Sequence, residues 1–139
     1  MREMKVELRG GRKIDVLFGD FRVETDQPKE DGSPGSAPEP FDLFLASLAS
    51  CAAHAALAFC RSRDIGTEDL GLVLRPAGDP EGKRMAEVEI ELRLPQEFPE
   101  KYREAVVRAM DTCSVKRHVQ EAPAFRSHAL KPGETPSSN

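Results

Sequence analysis

From Pro40 to Arg63 the chain reads P-F-D-L-F-L-A-S-L-A-S-C-A-A-H-A-A-L-A-F-C-R-S-R, and this stretch limits the possible folds more than any other. Between Leu43 and Phe59 only Ser47, Ser50, Cys51 and His54 carry any polarity, and every turn is apolar. Ala, Leu and Phe are good or acceptable helix residues, neither Gly nor Pro interrupts them, and Pro40 suits a first-turn position. The spacing predicts a helix roughly 35 Å long. A helix apolar all round must be buried on all sides, in protein or in lipid. The abundance of Ala and Ser, and the charged helix and strand patterns on either side, favour protein. The stretch is therefore expected to be the central helix of a soluble fold, with Cys51 near its middle.

At about 100° per residue, Phe44, Ser47, Leu48, Cys51, Ala55 and Ala58 fall on one side of this rod, with His54 at the edge. Asp42, Ala49, Ala53 and Cys60 fall on the other. Cys51 and Cys60 point in opposite directions, ~13 Å apart along the axis, too far for a disulfide within one straight helix. A sulfur partner for Cys51 in its own chain would have to be Cys113. The 139 residues are expected to form a single domain, 1–139. Such a chain is small for one that wraps a long buried helix, so a second copy is expected to cover the rod. The net charge of -4 gives no electrostatic reason to expect nucleic acid. Three cysteines without structural spacing, and no secretory apolar region after Met1, point to a reducing cytoplasm and to no membrane partner.

Around the rod the pattern changes. From Met4 to Thr25 it alternates with a period of two: Met4, Val6 and Leu8, then Ile14, Val16 and Phe18, then Phe21 and Val23, with turns at Gly10-Gly11 and Gly19-Asp20. This predicts a three-stranded meander with one apolar face ready to pack on the rod. Asp26 to Pro38 is turn chemistry throughout. Asp64-Ile65-Gly66 ends the central helix. Leu70, Leu72 and Leu74 alternate, Pro76 to Gly82 reads as a loop, and Ala86 to Leu94 alternates again against Glu87, Glu89, Glu91 and Arg93. The two runs form a hairpin with a charged outer face. Phe98, Tyr102, Ala105, Val106, Ala109 and Met110 mark an amphipathic second helix. Asp111-Thr112 predicts a break, followed by a short helix from Cys113 to about Val119. Ala124 to Leu130 suits a last strand, and 131–139 a polar tail without function.

Cys51 is the main candidate for chemistry, although a free Cys in an Ala-rich helix is more often a small core hydrophobe. Cys113 shifts that balance. It is expected at a helix start, with Lys116 and Arg117 in the next turn, where dipole and cations both favour thiolate. A buried Cys51 with an activated Cys113 outlines a dithiol redox pair. Cys51, His54 and Cys113 lack metal-ligand spacing, so no metal or other cofactor is expected. His54 is better read as a half-exposed interface residue, Cys60 as core, and the Glu87/Glu89/Glu91 run as a solvated sheet face.

Two stretches resemble a known family. Pro40 to Cys51, P-F-D-L-F-L-A-S-L-A-S-C, is similar to the helix signature of the OsmC/Ohr family, the osmotically inducible and organic hydroperoxide resistance proteins. Phe98 to Val119, F-P-E-K-Y-R-E-A-V-V-R-A-M-D-T-C-S-V-K-R-H-V, resembles its second helix and second cysteine. The order of elements agrees over about residues 3 to 130, closest to a less-characterised branch. The resemblance implies an α+β fold in an intertwined homodimer, with two sites at the interface. It implies Cys51 as peroxidatic thiol, Cys113 as resolving thiol, an assisting Arg and an acidic residue at the start of the central helix. Asp42 matches the acidic position, where peroxidase members carry Glu. Arg12 of Gly10-Gly11-Arg12 is the best match for the Arg, with Arg9 and Arg22 as alternatives. Cys113-Ser114 replaces the family's common Cys-Pro. The implied activity is reduction of organic hydroperoxides, through a Cys51 sulfenic acid and a Cys51–Cys113 disulfide that an external dithiol reduces. The alternative is an OsmC-fold redox-sensing or small-ligand-binding module that does not turn over.

Overall fold

A computed structural model describes residues 3–82 and 84–135. Three antiparallel strands come first: β1 (Lys5–Leu8), β2 (Ile14–Phe18) and β3 (Phe21–Thr25), in the order β1-β2-β3. Val6 faces Val16, and Val16 faces Val23. The β1–β2 turn needs its glycines, because Gly10 and Gly11 have φ of 86° and 60°, which side chains disfavour. Helix α1 then runs Pro40–Arg61. The hairpin β4 (Gly71–Gly78) and β5 (Met85–Arg93) follows, and α2 (Arg103–Asp111) and α3 (Ser114–Gln120) complete the regular structure. A single turn of 3-10 helix, Glu100–Tyr102, leads into α2. The α+β order of meander, central helix, hairpin and second helix agrees with the sequence pattern.

The core sits on one stripe of α1. Leu48, Ala52, Ala56, Phe59 and Cys60 are its buried residues, and α1 packs on α2, β4 and α3. Ala52 and Ala56 are fully buried, and their small side chains let α2 approach closely with Val106 and Met110. Leu72, Ile90 and Leu92 of the hairpin close the other side. The Phe59 ring meets Tyr102 edge-on at 5.9 Å and carries the Arg63 guanidinium 3.8 Å above it. Asp64, at φ 55°, turns the chain after α1, and the Ile65 amide returns to the Cys60 carbonyl. By length and composition α1 could cross a membrane, yet the core is built on it; only 22% of its most apolar window is buried within one chain.

Four expectations are corrected. The meander does not pack on the rod: Met4, Val6 and Leu8 are exposed, and the α1 contacts are made by helices and hairpin. The buried side of β2 instead carries Asp15, whose carboxylate binds Arg22 and Arg9. The rod is buried on one stripe rather than all round within one chain, and Ser50, His54 and Ala58 stay exposed. Strand β4 continues through Pro76, Ala77 and Gly78, expected as loop; in a two-stranded sheet Pro76 sits on a free edge, where its missing N–H costs nothing. Ala124 to Leu130 forms no strand, and Phe125 is 88% exposed, because this segment has no sheet edge beside it within the chain. Of the polar tail, residues 131–135 are exposed and 136–139 lie outside the described residues.

The loop before α1 is organised by a carboxylate rather than by turn residues alone. Asp26 is fully buried and accepts hydrogen bonds from the Ser33 hydroxyl, the Ser36 amide and hydroxyl, and the Gln27 amide. These donors, Ser33 first, hold its carboxyl far below the usual carboxylate range. The loop is thereby tied into one shape that delivers Pro40 to the start of α1.

Candidate active site

Cys51 sits midway along α1, one position before the buried Ala52, so its sulfur leaves the helix beside the core stripe and remains partly exposed. Cys113 arrives from the other direction. It ends the tight connection after α2, where its amide donates to the Met110 carbonyl, and it serves as the N-cap of α3. Its Sγ accepts the Lys116 amide at 3.4 Å, and the residue is 3% exposed. Packing of α3 on α1 brings the start of α3 to Cys51: its Sγ lies 3.8 Å from Ser114 Oγ, and the buried Cys113 is the preceding residue. All three cysteines are free thiols, with Cys60 buried in the core.

The two thiols are driven apart in acidity. Cys51 is held below the usual thiol range, first by the hydrogen bond from Cys113, then by the Val115 amide, with Ser114 adding its hydroxyl and amide. Partial burial opposes this and does not win. Burial pushes the Cys113 thiol up, and the neighbouring Cys51 sulfur pushes it further; the Lys116 and Val115 amides only partly offset this. From the helix start, thiolate is expected at Cys113; the balance of donors and burial favours it at Cys51 instead. Of the two cations expected to help, Lys116 is engaged elsewhere, its Nζ binding the Asp111 carboxylate at 2.6 Å, and Arg117 is not among the groups that shift either thiol. At the α3 start the Ser114 hydroxyl and the Ser114 and Val115 amides act on the sulfur that approaches from α1, whereas the Lys116 amide serves Cys113.

Other candidates are placed as follows. Arg9 and Arg22 both bind the buried Asp15 carboxylate. Arg12, in the β1–β2 turn, makes a half-exposed ion pair with Asp31 at 3.8 Å. Asp42 closes a capping box with Glu39, its Oδ2 accepting the Glu39 amide at 3.2 Å. Within one chain, neither Arg12 nor Asp42 is among the groups acting on Cys51. His54 is exposed and lines a cleft of about 260 Å³ with Ser50, Leu57 and Leu72. Among the described residues, no three His, Cys, Asp or Glu side chains are arranged to hold a metal ion. A larger cleft of about 740 Å³ is lined by Leu48 of α1, by Met85, Glu87, Val88 and Ile90 of β5, by Asp111 at the end of α2 and by Lys116 of α3; neither sulfur is in its lining.

Sequence reasoning missed Ser114, whose position as the first residue of α3 puts its hydroxyl on the Cys51 sulfur. The signal was present as a small polar residue immediately after a capping Cys.

Comparison with known proteins follows this geometry. Residues 32–128 match the family described as OsmC-like protein. No curated protein matches the sequence at a significant level. Three solved structures share the fold. A Psychrobacter arcticus 273-4 protein assigned to the osmotic stress and detoxification response is 24% identical, with a TM-score of 0.72 over 84% of this chain and 87% of that one. An OsmC-like protein from Mycoplasma pneumoniae is 15% identical, with a TM-score of 0.70 over 88% and 89%. An organic hydroperoxide resistance protein from Legionella pneumophila is 22% identical, with a TM-score of 0.57 over 86% and 89%.

Proposed function

The chain belongs to the OsmC-like family, and from that premise we propose that it is a thiol peroxidase that reduces organic hydroperoxides through Cys51 and Cys113. One observation carries the reading: two free thiols lie where α3 packs on α1, a partly exposed Cys51 with Ser114 Oγ 3.8 Å from its Sγ and a buried Cys113 just before that serine. The first is shifted toward greater acidity and the second toward less. The Cys51 thiolate attacks the outer oxygen of the hydroperoxide. An S–O bond forms, the O–O bond breaks, and the departing alkoxide takes a proton to leave as the alcohol. Cys51 is now a neutral sulfenic acid, so the negative charge that added to the effect of burial on the Cys113 thiol is gone. Cys113 then loses its proton more readily and attacks the Cys51 sulfur; an S–S bond forms, the S–O bond breaks, and water leaves. An external dithiol reduces the disulfide, becoming a disulfide itself. Oxidation of the first thiol thus activates the second.

The apolar walls of the larger cleft, Leu48, Met85, Val88 and Ile90, suit the organic part of the substrate better than hydrogen peroxide. A second copy of the chain covers the open apolar faces in this reading. Arg12 is its candidate for the cation that meets the departing oxygen: its pair with Asp31 is a loose surface contact of little energy, whereas Arg9 and Arg22 are held by a buried carboxylate. Asp42 would orient that cation from the partner chain.

The test is direct. One equivalent of cumene hydroperoxide added to the reduced protein should yield a Cys51–Cys113 disulfide with Cys60 free by peptide mapping. With a dithiol present, consumption should exceed that of free thiol many-fold. A bond that includes Cys60, or a rate no better than free thiol, overturns the reading.

A further inference from the structure

A thiolate in a partly buried site is stable only if hydrogen-bond donors replace the water it gives up. Around Cys51 two such donors are side chains, Cys113 and Ser114. They differ in one respect. In the proposed cycle Cys113 must surrender its proton to act as a nucleophile, and from then on it cannot donate. Ser114 takes part in no bond-making step. Its Oγ lies 3.8 Å from the Cys51 Sγ, within reach of a hydrogen bond to the large sulfur atom. A hydroxyl rotates freely to aim its one hydrogen. Among the described residues the Ser114 side chain has no other hydrogen-bond partner; the 2.7 Å contact with His118 Nδ1 is made by the Ser114 carbonyl. The residue is exposed and is the first of α3, so the hydroxyl supports neither the core nor the cap, the latter being Cys113.

We propose that Ser114 is a catalytic residue of this chain, its hydroxyl donating to the Cys51 sulfur and holding it as the anion before peroxide arrives. The assignment rests on Cys51 being the reacting thiol. It accounts for a serine at a position where the helix alone would accept many residues, proline included.

The experiment measures iodoacetamide modification of the Cys51 peptide in the reduced, full-length protein as a function of pH, for wild type, Ser114→Ala, Ser114→Thr and Ser114→Pro. Ser114→Ala should react about three- to tenfold more slowly at pH values below the wild-type midpoint, where thiolate is scarce. Its limiting rate at high pH should be equal or slightly higher, because a more basic thiolate is the better nucleophile. Ser114→Thr should restore the wild-type profile. Ser114→Pro keeps the helix start but loses hydroxyl and amide together, and should fall below Ser114→Ala. An Ala profile that overlays wild type, or a loss equal at every pH, overturns the assignment. Hydroperoxide consumption measured alongside separates the two readings: a Ser114-dependent pH profile in a protein that consumes no hydroperoxide overturns the peroxidase reading and leaves Ser114 in place.

Discussion

Joining Cys51 to Cys113 should move global and local stability in opposite directions. The bond closes a loop of about 60 residues, which the chain-entropy relation converts to about 4 kcal/mol of stabilisation. For a urea dependence of about 2 kcal/mol per molar, the unfolding midpoint should rise by about 2 M. At the site itself the same bond takes something away. Helix α3 spans only Ser114–Gln120, and the Lys116 amide, in its first turn, has the Cys113 sulfur as its partner at 3.4 Å. No carbonyl of the helix can replace that partner. A sulfur committed to Cys51 turns toward α1 and becomes a poorer acceptor. A lost cap of this weak kind costs about 0.5 kcal/mol, enough to open so short a helix about twice as often. Hydrogen exchange on the reduced and oxidised forms reads both effects. The Lys116 amide should lose most of its protection. Arg117, whose amide bonds the Cys113 carbonyl at 3.0 Å, should exchange about twofold faster. An unchanged Lys116 amide would refute the capping role of the sulfur. An unchanged or lower urea midpoint would refute the loop argument.

Four further outcomes follow. Cys113→Ser should leave a Cys51 sulfenic acid that dimedone traps after one equivalent of hydroperoxide, whereas Cys51→Ser should consume none; equal consumption by the two would overturn the division of labour. Because its donors shift Cys51 below the usual thiol range, hydroperoxide consumption should persist to lower pH than an ordinary thiol allows and fall as pH drops through the lowered midpoint; Cys60, pushed up by burial, should resist alkylation throughout this range in the native protein. Val106→Ala removes a fully buried side chain between α1 and α2 and should cost about 2 kcal/mol, read as about 1 M of urea. Asp42→Ala breaks the capping box for about 0.5–1 kcal/mol; in mixed dimers with Cys51→Ser chains it should keep about half the wild-type activity if Asp42 serves the partner's site, and only the level of the Asp42→Ala homodimer if it serves its own.

How much of this was legible in the sequence depended on whether the signal was local. The uninterrupted run from Pro40 and the strict alternation from Ala86 are periodic along the chain, and α1 and β5 stand where those patterns put them. The break at Asp111-Thr112 is equally local and a short helix follows it, with Cys113 as its cap rather than its first residue. Which thiol ionises was not local. The dipole and cation argument assigned the effect to the residue at the helix start, while the Ser114 and Val115 donors there serve a sulfur from another element, and Lys116 is held by Asp111. Asp26 is expected only as the start of a turn segment, and nothing in the alternation marks Asp15 as buried. Their burial depends on Arg22, Ser33 and Ser36, seven to ten positions away, which no short-range period encodes.

On the proposed reading, the open apolar surfaces among the disagreements share one cause. The meander was expected to cover the rod, and in one chain it does not; Met4, Val6 and Leu8 stay open, α1 keeps an exposed side, and Phe125 has nothing to lie on. Each is an apolar surface that folding of a single chain leaves in water, at roughly 25 cal/mol per Å². The polar residues tell the same story. Arg12 is held only by a loose surface ion pair, and Asp42 stands nine residues before Cys51, about half a turn round and ~13 Å along the axis from the sulfur. A carboxylate so placed cannot serve the thiol of its own helix. On the proposed reading a second copy resolves both at once: its rod and meander cover the open faces, and the residues that cannot reach their own Cys51 are carried toward the partner's. Dissociation into monomers should then abolish hydroperoxide turnover while leaving the packing of α3 on α1 at Cys51, and so the acidity of Cys51, within each chain.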